Sequence, residues 1–407
     1  MIDHGAWWLF AAILPLVYWN IPAAGRPVLL AVASFAVLFA LSPLHLSLML
    51  GIGLLVYASF ALPAFDPAPS RGGLGGAALK AIGTNRVRAP VLVILCYLLW
   101  FKYVLPLEHM LAPRAGVARY VIPLGISYFS FKLLHYAIER GHKLLPAHSL
   151  KDFLSWLFLL PTFTSGPIER FEHFVEHRED RFRVDFVVEG GSRIALGLIK
   201  KFTILPFFER HSAILTGGDW IAFAQGSAGE PSTWAAWAYL GLELLISYLD
   251  FSAYTDIAIG ASRLFGLRIM ENFNYPLLAT NLVEFWRRYH MSLTNWCRSY
   301  VYMPTLGYTR NPYAAVTATF VIVGVWHAGS LNWVIWGLWH GLGQAVVLRW
   351  MRFAQKRRIT FFKSGHGRLL GWAITMIYVS LGCAFEATPA DGGVMDSFRL
   401  ILRAFGF

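Results

Sequence analysis

The sequence predicts an all-α, polytopic membrane protein with roughly 10–12 transmembrane or re-entrant helices and a polar interior. Three observations carry this. Hydrophobic residues make up 57% of the 407 and charged residues 14%, with a mean hydropathy of +0.51. Apolar runs recur from one end to the other, and a polar stretch interrupts them in the middle of the chain.

A soluble globular chain carries about a quarter charged residues. The composition therefore excludes an ordinary cytosolic enzyme, a disordered chain and a disulfide-stapled secreted domain. A net charge of +12 and a pI of 9.7 commonly point to nucleic acid. Basic cytoplasmic loops of a membrane protein explain that charge more simply. The cysteines, Cys96, Cys297 and Cys383, are odd in number and lack metal-ligand spacing, so none is read as a disulfide or a ligand.

The apolar runs lie near 6–21, 28–41, 45–63, 90–106, 119–138, 152–167, 186–206, 234–262, 313–326, 331–348, 368–385 and 395–407. Several are shorter than a full span, which suits re-entrant or half-helices. Helices satisfy their backbone within one segment, as hydrocarbon demands, and the alternating ten-residue pattern of a membrane β-barrel is absent. The first run lacks a basic leader and a small-residue cleavage site, so it is read as mature structure. The Gly-rich piece from Arg71 to Ala77 is read as a loop, because it lacks the Lys-Ser/Thr ending of a phosphate cradle. No repeat and no separable soluble domain is visible. Residues 1–407 read as one integral-membrane domain, with N-terminal helices in 1–106, a core in 120–345 and C-terminal helices in 349–407.

Loop charge sets the orientation. Segment 66–89 carries Arg71, Lys80, Arg86 and Arg88 against Asp66, and segment 349–368 carries seven basic residues and no acid. Both read as cytoplasmic. Segments 211–233 and 386–396 carry acids and no Lys or Arg, and read as extracytoplasmic. Counting back places the N-terminus outside.

Chemistry concentrates in 243–298, which holds Glu243, Asp250, Asp256, Arg263, Arg268, Asn281, Glu284, Arg287, Arg288 and His290. Ionisable groups at membrane depth face a cavity or a partner. Glu243 and Asp250 are seven apart and share one helix face, either as an ion network with Arg263 or Arg268 or as a polar tunnel wall. Around Trp286, Arg287 and Arg288, interfacial anchoring explains the pattern, but it explains His290 less well. Further on, Gly324-Val-Trp-His327-Ala-Gly-Ser-Leu-Asn-Trp333 places a histidine between two apolar runs beside small residues, where a helix can break or a neighbour approach. His340, thirteen residues beyond, falls well round from His327 on a continuous helix, so the two need not share a site. A buried neutral imidazole can accept a hydroxyl proton. There is no Gly-x-Ser-x-Gly elbow and no His-Glu-x-x-His helix. Residue chemistry alone leaves an enzyme and a transporter or flippase for an envelope precursor equally open.

Six segments then occur in one order: Pro123-Leu-Gly-Ile-Ser-Tyr-Phe-Ser-Phe, Leu160-Pro-Thr-Phe-Thr-Ser-Gly-Pro-Ile-Glu-Arg170-Phe, Tyr248-Leu-Asp-Phe-Ser-Ala-Tyr-Thr-Asp-Ile-Ala-Ile-Gly260, Glu271-Asn-Phe-Asn-Tyr-Pro276, Phe285-Trp-Arg-Arg-Tyr-His290-Met-Ser-Leu, and Val325-Trp-His327 through Trp339-His340-Gly. Over roughly 120–345 the chain resembles the bacterial branch of the membrane-bound O-acyltransferase family. That branch includes membrane subunits for alginate O-acetylation and for teichoic acid D-alanylation.

The resemblance implies a helical fold around a tunnel, with the active histidine at its narrow middle. An acyl donor enters from the cytoplasm and an acceptor from outside. His327 matches the family's near-invariant histidine, and His290 its second polar position, which makes them the candidate catalytic pair. Asp250, Asn281, Arg287, Arg288, Trp326 and Asn332 are the candidate tunnel-lining or substrate-binding residues. The family often reads Trp-His-Gly-Ala-Asn-Trp where this chain has two further residues between histidine and tryptophan, so the turn differs. Thr164-Ser-Gly-Pro-Ile-Glu-Arg170 resembles the D-alanyl branch, whereas Asp250-Phe-Ser-Ala-Tyr-Thr-Asp256 resembles the polysaccharide acetyltransferases.

The implied activity is acyl transfer from a thioester to a hydroxyl of a cell-envelope polymer, directly or through a partner. No cofactor is implied, since the donor (acetyl-CoA or an acyl carrier protein thioester) is a substrate, and no metal. The implied partners are membrane lipid, a cytoplasmic donor or carrier protein, an extracytoplasmic transferase and the polymer acceptor. The implied location is the bacterial cytoplasmic membrane. A transporter would show internal pseudo-symmetry and paired broken helices; neither is visible.

The charge bias predicts residue 78 on the cytoplasmic side and residue 391 outside. Single cysteines at these positions, treated in intact cells with an impermeant thiol reagent, should label at 391 and not at 78. The opposite pattern reverses the topology.

Overall fold

The computed structural model describes residues 4–61, 75–107, 122–226, 232–386 and 393–407. Much of the charge at 66–89, together with Asp391, lies outside these residues or among side chains not described. Of the Gly-rich piece, Gly75–Ala77 open a helix rather than continue a loop. Among the described residues the chain is helical with no strand; one isolated bridge joins Arg178 and Leu267. Four helical stretches are long and apolar enough to cross a membrane: Ala23–Leu41, Pro43–Phe60, Val87–Leu107 and Gly365–Glu386.

The chain forms two compact units. The first comprises Met1–Ile194 and Asp256–Met270, the second Ala195–Thr255 and Glu271–Phe407. In the first lie α1 (Gly5–Asn20), α2 (Arg26–Leu41), α3 (Pro43–Ala61), α4 (Gly75–Leu99), α5 (Ile126–Gly141), α6 (Leu150–Leu157), α7 (Phe171–Glu176) and most of α8 (Val184–Ile199). Helix α6 starts at a capping box: Ser149 and Asp152 each satisfy the other's backbone N–H. The long helix α11 (Thr233–Arg263) gives its last residues to this unit. There it crosses α8 at two glycines: a Cβ on Gly190 would lie 2.8 Å from Gly260 O, and one on Gly260 would lie 2.6 Å from Gly190 O. Only hydrogens at both positions allow backbones this close.

Two charged groups buried inside this unit are partnered. Lys132, 1% exposed, donates to Trp156 O and Thr162 Oγ1, each at 3.0 Å. The buried Glu169 carboxylate accepts the Met270 N–H at 2.7 Å and pairs with His173. These bonds tie the Leu160–Arg170 segment down on both sides.

The second unit contains α9 (Leu205–Thr216), α10 (Trp220–Gln225), the start of α11, α12 (Leu282–Arg288), α13 (Met291–Cys297), α14 (Met303–Thr309), α15 (Pro312–His327), α16 (Leu331–Lys356), α17 (Gly365–Glu386) and α18 (Val394–Ala404). Two π-helical turns occur here, Lys200–Ile204 and Arg298–Tyr302, and a third, Trp100–Val104, lies in the first unit. Each ends two residues before a proline: Pro206, Pro304 and Pro106. Proline has no N–H, and its ring clashes with the carbonyl four residues back. One wider turn removes the clash and lets the helix run on.

Helices α15 and α16 form a tight antiparallel hairpin. Asn311 caps α15, its Oδ1 accepting the Tyr313 and Ala314 N–H groups, with Pro312 at the first turn. Glycines then set the separation. A Cβ on Gly337 would lie 2.5 Å from Phe320 O, one on Gly341 would lie 2.8 Å from Thr317 Cα, and one on Gly324 would overlap Trp333 O.

This packing predicts opposite outcomes for two Gly→Ala changes. Gly337→Ala forces backbone apart and should cost about 1–3 kcal/mol, as overpacking does. Gly191→Ala, in α8 with nothing within 4 Å of the added carbon, should be neutral or stabilising by up to about 1 kcal/mol through helix propensity. Melting of the purified variants in detergent checks both; a Gly337→Ala protein as stable as the parent refutes the close-packing argument.

Candidate active site

The site is built from a chain reversal and a hairpin tip, both in the second unit. The reversal joins α12 to α13. Asn281 Oδ1 accepts the Glu284 N–H at 2.9 Å and starts α12. Glu284 then accepts from Thr280 N and Oγ1, both at 2.9 Å, and pairs with Arg288 at 2.6 Å. The helix stops at Tyr289, and His290 takes up a left-handed conformation, φ 47° and ψ 52°. For a residue with a side chain this costs on the order of 1–3 kcal/mol and persists only where surrounding structure dictates it. The His290 ring is 5% exposed and stands edge-on to Phe251, with centroids 4.6 Å apart. Its Nδ1 is buried and has no hydrogen-bond partner among the described residues.

His327 is the last residue of α15. The chain then extends through Ala328 (φ −155°, ψ 151°) and restarts as α16. Ala328, Gly329 and Ser330 thus form the hairpin turn. His327 is half-buried. It stacks on Trp333 with centroids 4.4 Å apart and planes 17° apart, lies 4.6 Å from Trp326, and stands edge-on to Trp336 at 5.5 Å. Trp286, four residues before His290, meets Trp336, and Trp336 stands edge-on to His327. The segments that carry the two candidate histidines, 37 positions apart, thus meet at one aromatic cluster.

An aromatic wall completes it. Trp336 contacts Trp286 (5.6 Å) and His340 (4.7 Å), and Trp286 contacts Phe320 (4.9 Å) and His340 (5.0 Å). Such rings exclude water and meet edge to face, as their quadrupoles favour. His340 is 2% exposed, and its Nδ1 also has no hydrogen-bond partner among the described residues. Chemically, the arrangement offers imidazoles that can take and return a proton in a dry, aromatic surround. Among the described residues no three His, Cys, Asp or Glu side chains converge as a metal site would require.

The other sequence candidates are placed more variously. Trp326 is beside His327, and Asn332 is buried in the first turn of α16. Asn281 serves as a helix cap, Arg288 is bonded to Glu284, and Arg287 is exposed. Asp250 pairs with Lys201 at 2.5 Å and acts electrostatically on Tyr289.

One sequence expectation needs correction. Among the described residues Glu243 accepts from Ser212 Oγ, Asp250 pairs with Lys201 and Arg263 pairs with Glu189, in place of a network of the two acids with Arg263 or Arg268. Partners on other segments reach these side chains better than neighbours along the same helix. His327 and His340 lie on the two helices of the hairpin, and both stand against Trp336. Sequence reading did not place Phe251, Trp336 or His340 among the site residues. A signal existed for two of them: Trp333, Trp336 and His340 are spaced i, i+3, i+7, one aromatic helix face.

Residues 91–384 match the profile of MBOAT, the membrane-bound O-acyltransferase family. The chain is 32% identical over 349 residues to a probable alginate O-acetylase of Azotobacter vinelandii, covering 82% of this chain and 66% of that protein. It is 30% identical over 243 residues to the teichoic acid D-alanyltransferase of Streptococcus thermophilus, covering 56% and 57%. It is 27% identical over 298 residues to the peptidoglycan O-acetyltransferase of Helicobacter pylori, covering 65% and 54%. The matches thus span 54–66% of the length of these relatives. Apolar helices long enough to span a bilayer and a family match over most of the chain lead to one conclusion: this multi-pass membrane protein belongs to the membrane-bound O-acyltransferase family.

Proposed function

We propose that the protein is an O-acyltransferase of the bacterial cytoplasmic membrane. It moves an acetyl or D-alanyl group from a cytoplasmic thioester to a hydroxyl of an envelope polymer, directly or through an extracytoplasmic partner transferase. The observation that carries this reading is His327 set among Trp326, Trp333 and Trp336, with Trp336 in turn against Trp286 of the segment that leads to His290.

In the proposed reaction the acceptor hydroxyl oxygen attacks the thioester carbonyl carbon while the His327 imidazole takes its proton. His290 orients or polarises the carbonyl. The tetrahedral intermediate then collapses: the carbon–sulfur bond breaks, and the thiolate leaves with the proton that His327 returns. The products are an ester and a thiol. The surrounding tryptophans keep water from competing for the acyl group. Trp326 and Asn332, on the same hairpin tip, are the candidates for substrate contact. Asn281 and Arg288 support the site by fixing α12, and Arg287 and Asp250 would act from its polar margin.

The donor side is proposed to lie at the basic end of α16. Arg349, Arg352, Lys356, Arg357, Arg358 and Lys363 are exposed there with no acid among them. Such a cluster raises the local concentration of an anionic CoA or an acidic carrier protein.

Two outcomes test the proposal. Purified protein is given radiolabelled acetyl-CoA or a D-alanyl-pantetheine thioester, and transfer or hydrolysis is followed. His327→Ala should lower turnover by about 10²–10⁴-fold with donor affinity little changed, because the lost interaction forms mainly in the transition state. His290→Ala should weaken binding as well as rate. Near-normal turnover in well-folded His327→Ala protein rules out this mechanism and favours a flippase. Donor affinity should also fall when salt rises from low to physiological levels, where the Debye length shrinks to about 8 Å. A salt-independent affinity leaves the basic cluster as a topology marker only.

A further inference from the structure

The left-handed conformation of His290 needs a cause, and the cause lies on another segment. His290 occupies the N-cap position of α13, yet its side chain makes no capping bond. The first N–H groups of that helix would then be orphaned in a buried place. Asn272, itself 0% exposed, takes them instead. Its backbone O accepts the Met291 N–H at 2.9 Å. Its side-chain Oδ1 accepts the Ser292 N–H at 3.3 Å and the Ser292 Oγ–H at 2.6 Å. Its Nδ2 donates to Thr255 Oγ1 at 3.3 Å, which fixes the amide's orientation. Two residues on, the Asn274 N–H donates to Arg288 O at 3.0 Å, so the same strand of chain also holds the end of α12. One asparagine thus grips the residues on the C-terminal side of His290, and its chain neighbour grips the N-terminal side.

A histidine at an N-cap would ordinarily be drawn back toward its own helix. Here that duty is discharged from outside, and the imidazole is left facing Phe251 with Nδ1 unbonded among the described residues. We infer that Asn272 is a positioning residue for the acyl-transfer site: by capping α13 in place of His290, it holds the His290 backbone in its left-handed state and releases the imidazole for chemistry. This rests on the acyltransferase reading above, in which His290 acts on the donor carbonyl.

The test is a double-mutant cycle with acetyl-CoA as the probe. Asn272→Ala should lower kcat by about 10–100-fold, the cost of a misplaced group, with KM changed less than about 3-fold. Asn272→Asp should restore kcat to within about 5-fold. Its carboxylate still accepts from Ser292, suits a helix N-terminus, and can accept from the Thr255 hydroxyl. In a His290→Ala background, Asn272→Ala should cost no further activity, since the group it positions is gone. A full, additive loss in that background overturns the inference.

Thr255→Val keeps the shape of the side chain and removes only the hydroxyl behind Asn272. It should lower kcat by about 3–10-fold and serves if Asn272→Ala fails to fold. The inference can also be read without any reaction. In protein labelled with ¹⁵N-histidine, the His290 ring resonances, identified by their loss in His290→Gln, should move in Asn272→Ala and Thr255→Val. Resonances unmoved in both variants overturn it even if the wild-type protein transfers no acyl group. A wild-type protein inactive toward acetyl-CoA and the D-alanyl thioester, with resonances that do move, instead counts against the acyltransferase reading alone.

Discussion

A polar group withdrawn from water must find a partner inside the protein or leave its desolvation uncompensated, at a cost of a few kcal/mol. Most of the described interior obeys this demand. Lys132 is held by a carbonyl and a hydroxyl, Glu169 by an N–H and a histidine, and Asn272 by bonds at both ends of its amide. All but the Glu169–His173 pair join segments 17 or more residues apart in sequence, so satisfying buried polar groups also determines how the segments lie within each unit. His290 and His340 are exceptions that they share with other buried groups such as Trp7 Nε1 and Ser130 Oγ: both are buried, and the Nδ1 of each lacks a hydrogen-bond partner among the described residues. A buried polar group left unmatched calls for an explanation, and the chemistry proposed for His290 supplies one.

The second constraint is closeness of backbone. Apolar side chains gain little by associating in hydrocarbon, so helices must gain from packing. Gly324, Gly337 and Gly341 let α15 and α16 approach until one helix lies against the carbonyls of the other. That proximity brings Trp333 and Trp336 against His327. The glycines and the aromatic wall therefore work together: small residues let the helices close, and the closure sets the rings around the histidine. The π turns before Pro106, Pro206 and Pro304 solve a related problem, since a helix that must continue past a proline widens instead of breaking.

The names of the relatives divide between acetyl and D-alanyl transfer and between alginate, teichoic acid and peptidoglycan. The same division appears within this chain, where Thr164–Arg170 resembles one branch and Asp250–Asp256 the other. The histidine chemistry proposed here is indifferent to that choice. A base that accepts a hydroxyl proton serves either acyl group, so selectivity must come from contacts to the acyl chain and to the acceptor.

Sequence by itself determined the class of the protein. Composition and unbroken apolar runs force helices, because hydrocarbon leaves the backbone no other partner, and the family's segments are local strings that survive without knowledge of the fold. His327 and His290 were legible for the same reason, as polar residues in surroundings that disfavour them. What tertiary structure alone decided is every relation across distance. The ion pairs of Asp250 and Arg263 go to Lys201 and Glu189, on helices that no periodicity in α11 points to. Trp336 and His340 meet along one helix face, but His327 reaches that face only because glycines permit a hairpin. Asn281 looks like a site residue in sequence and is a cap in space. Asn272 looks like one more polar residue in a polar stretch, yet it bonds to both Thr255 and Ser292. Periodicity reports which face of a helix is apolar; it carries no information about which distant group will arrive to meet it, and in this protein the candidate site is made of such meetings.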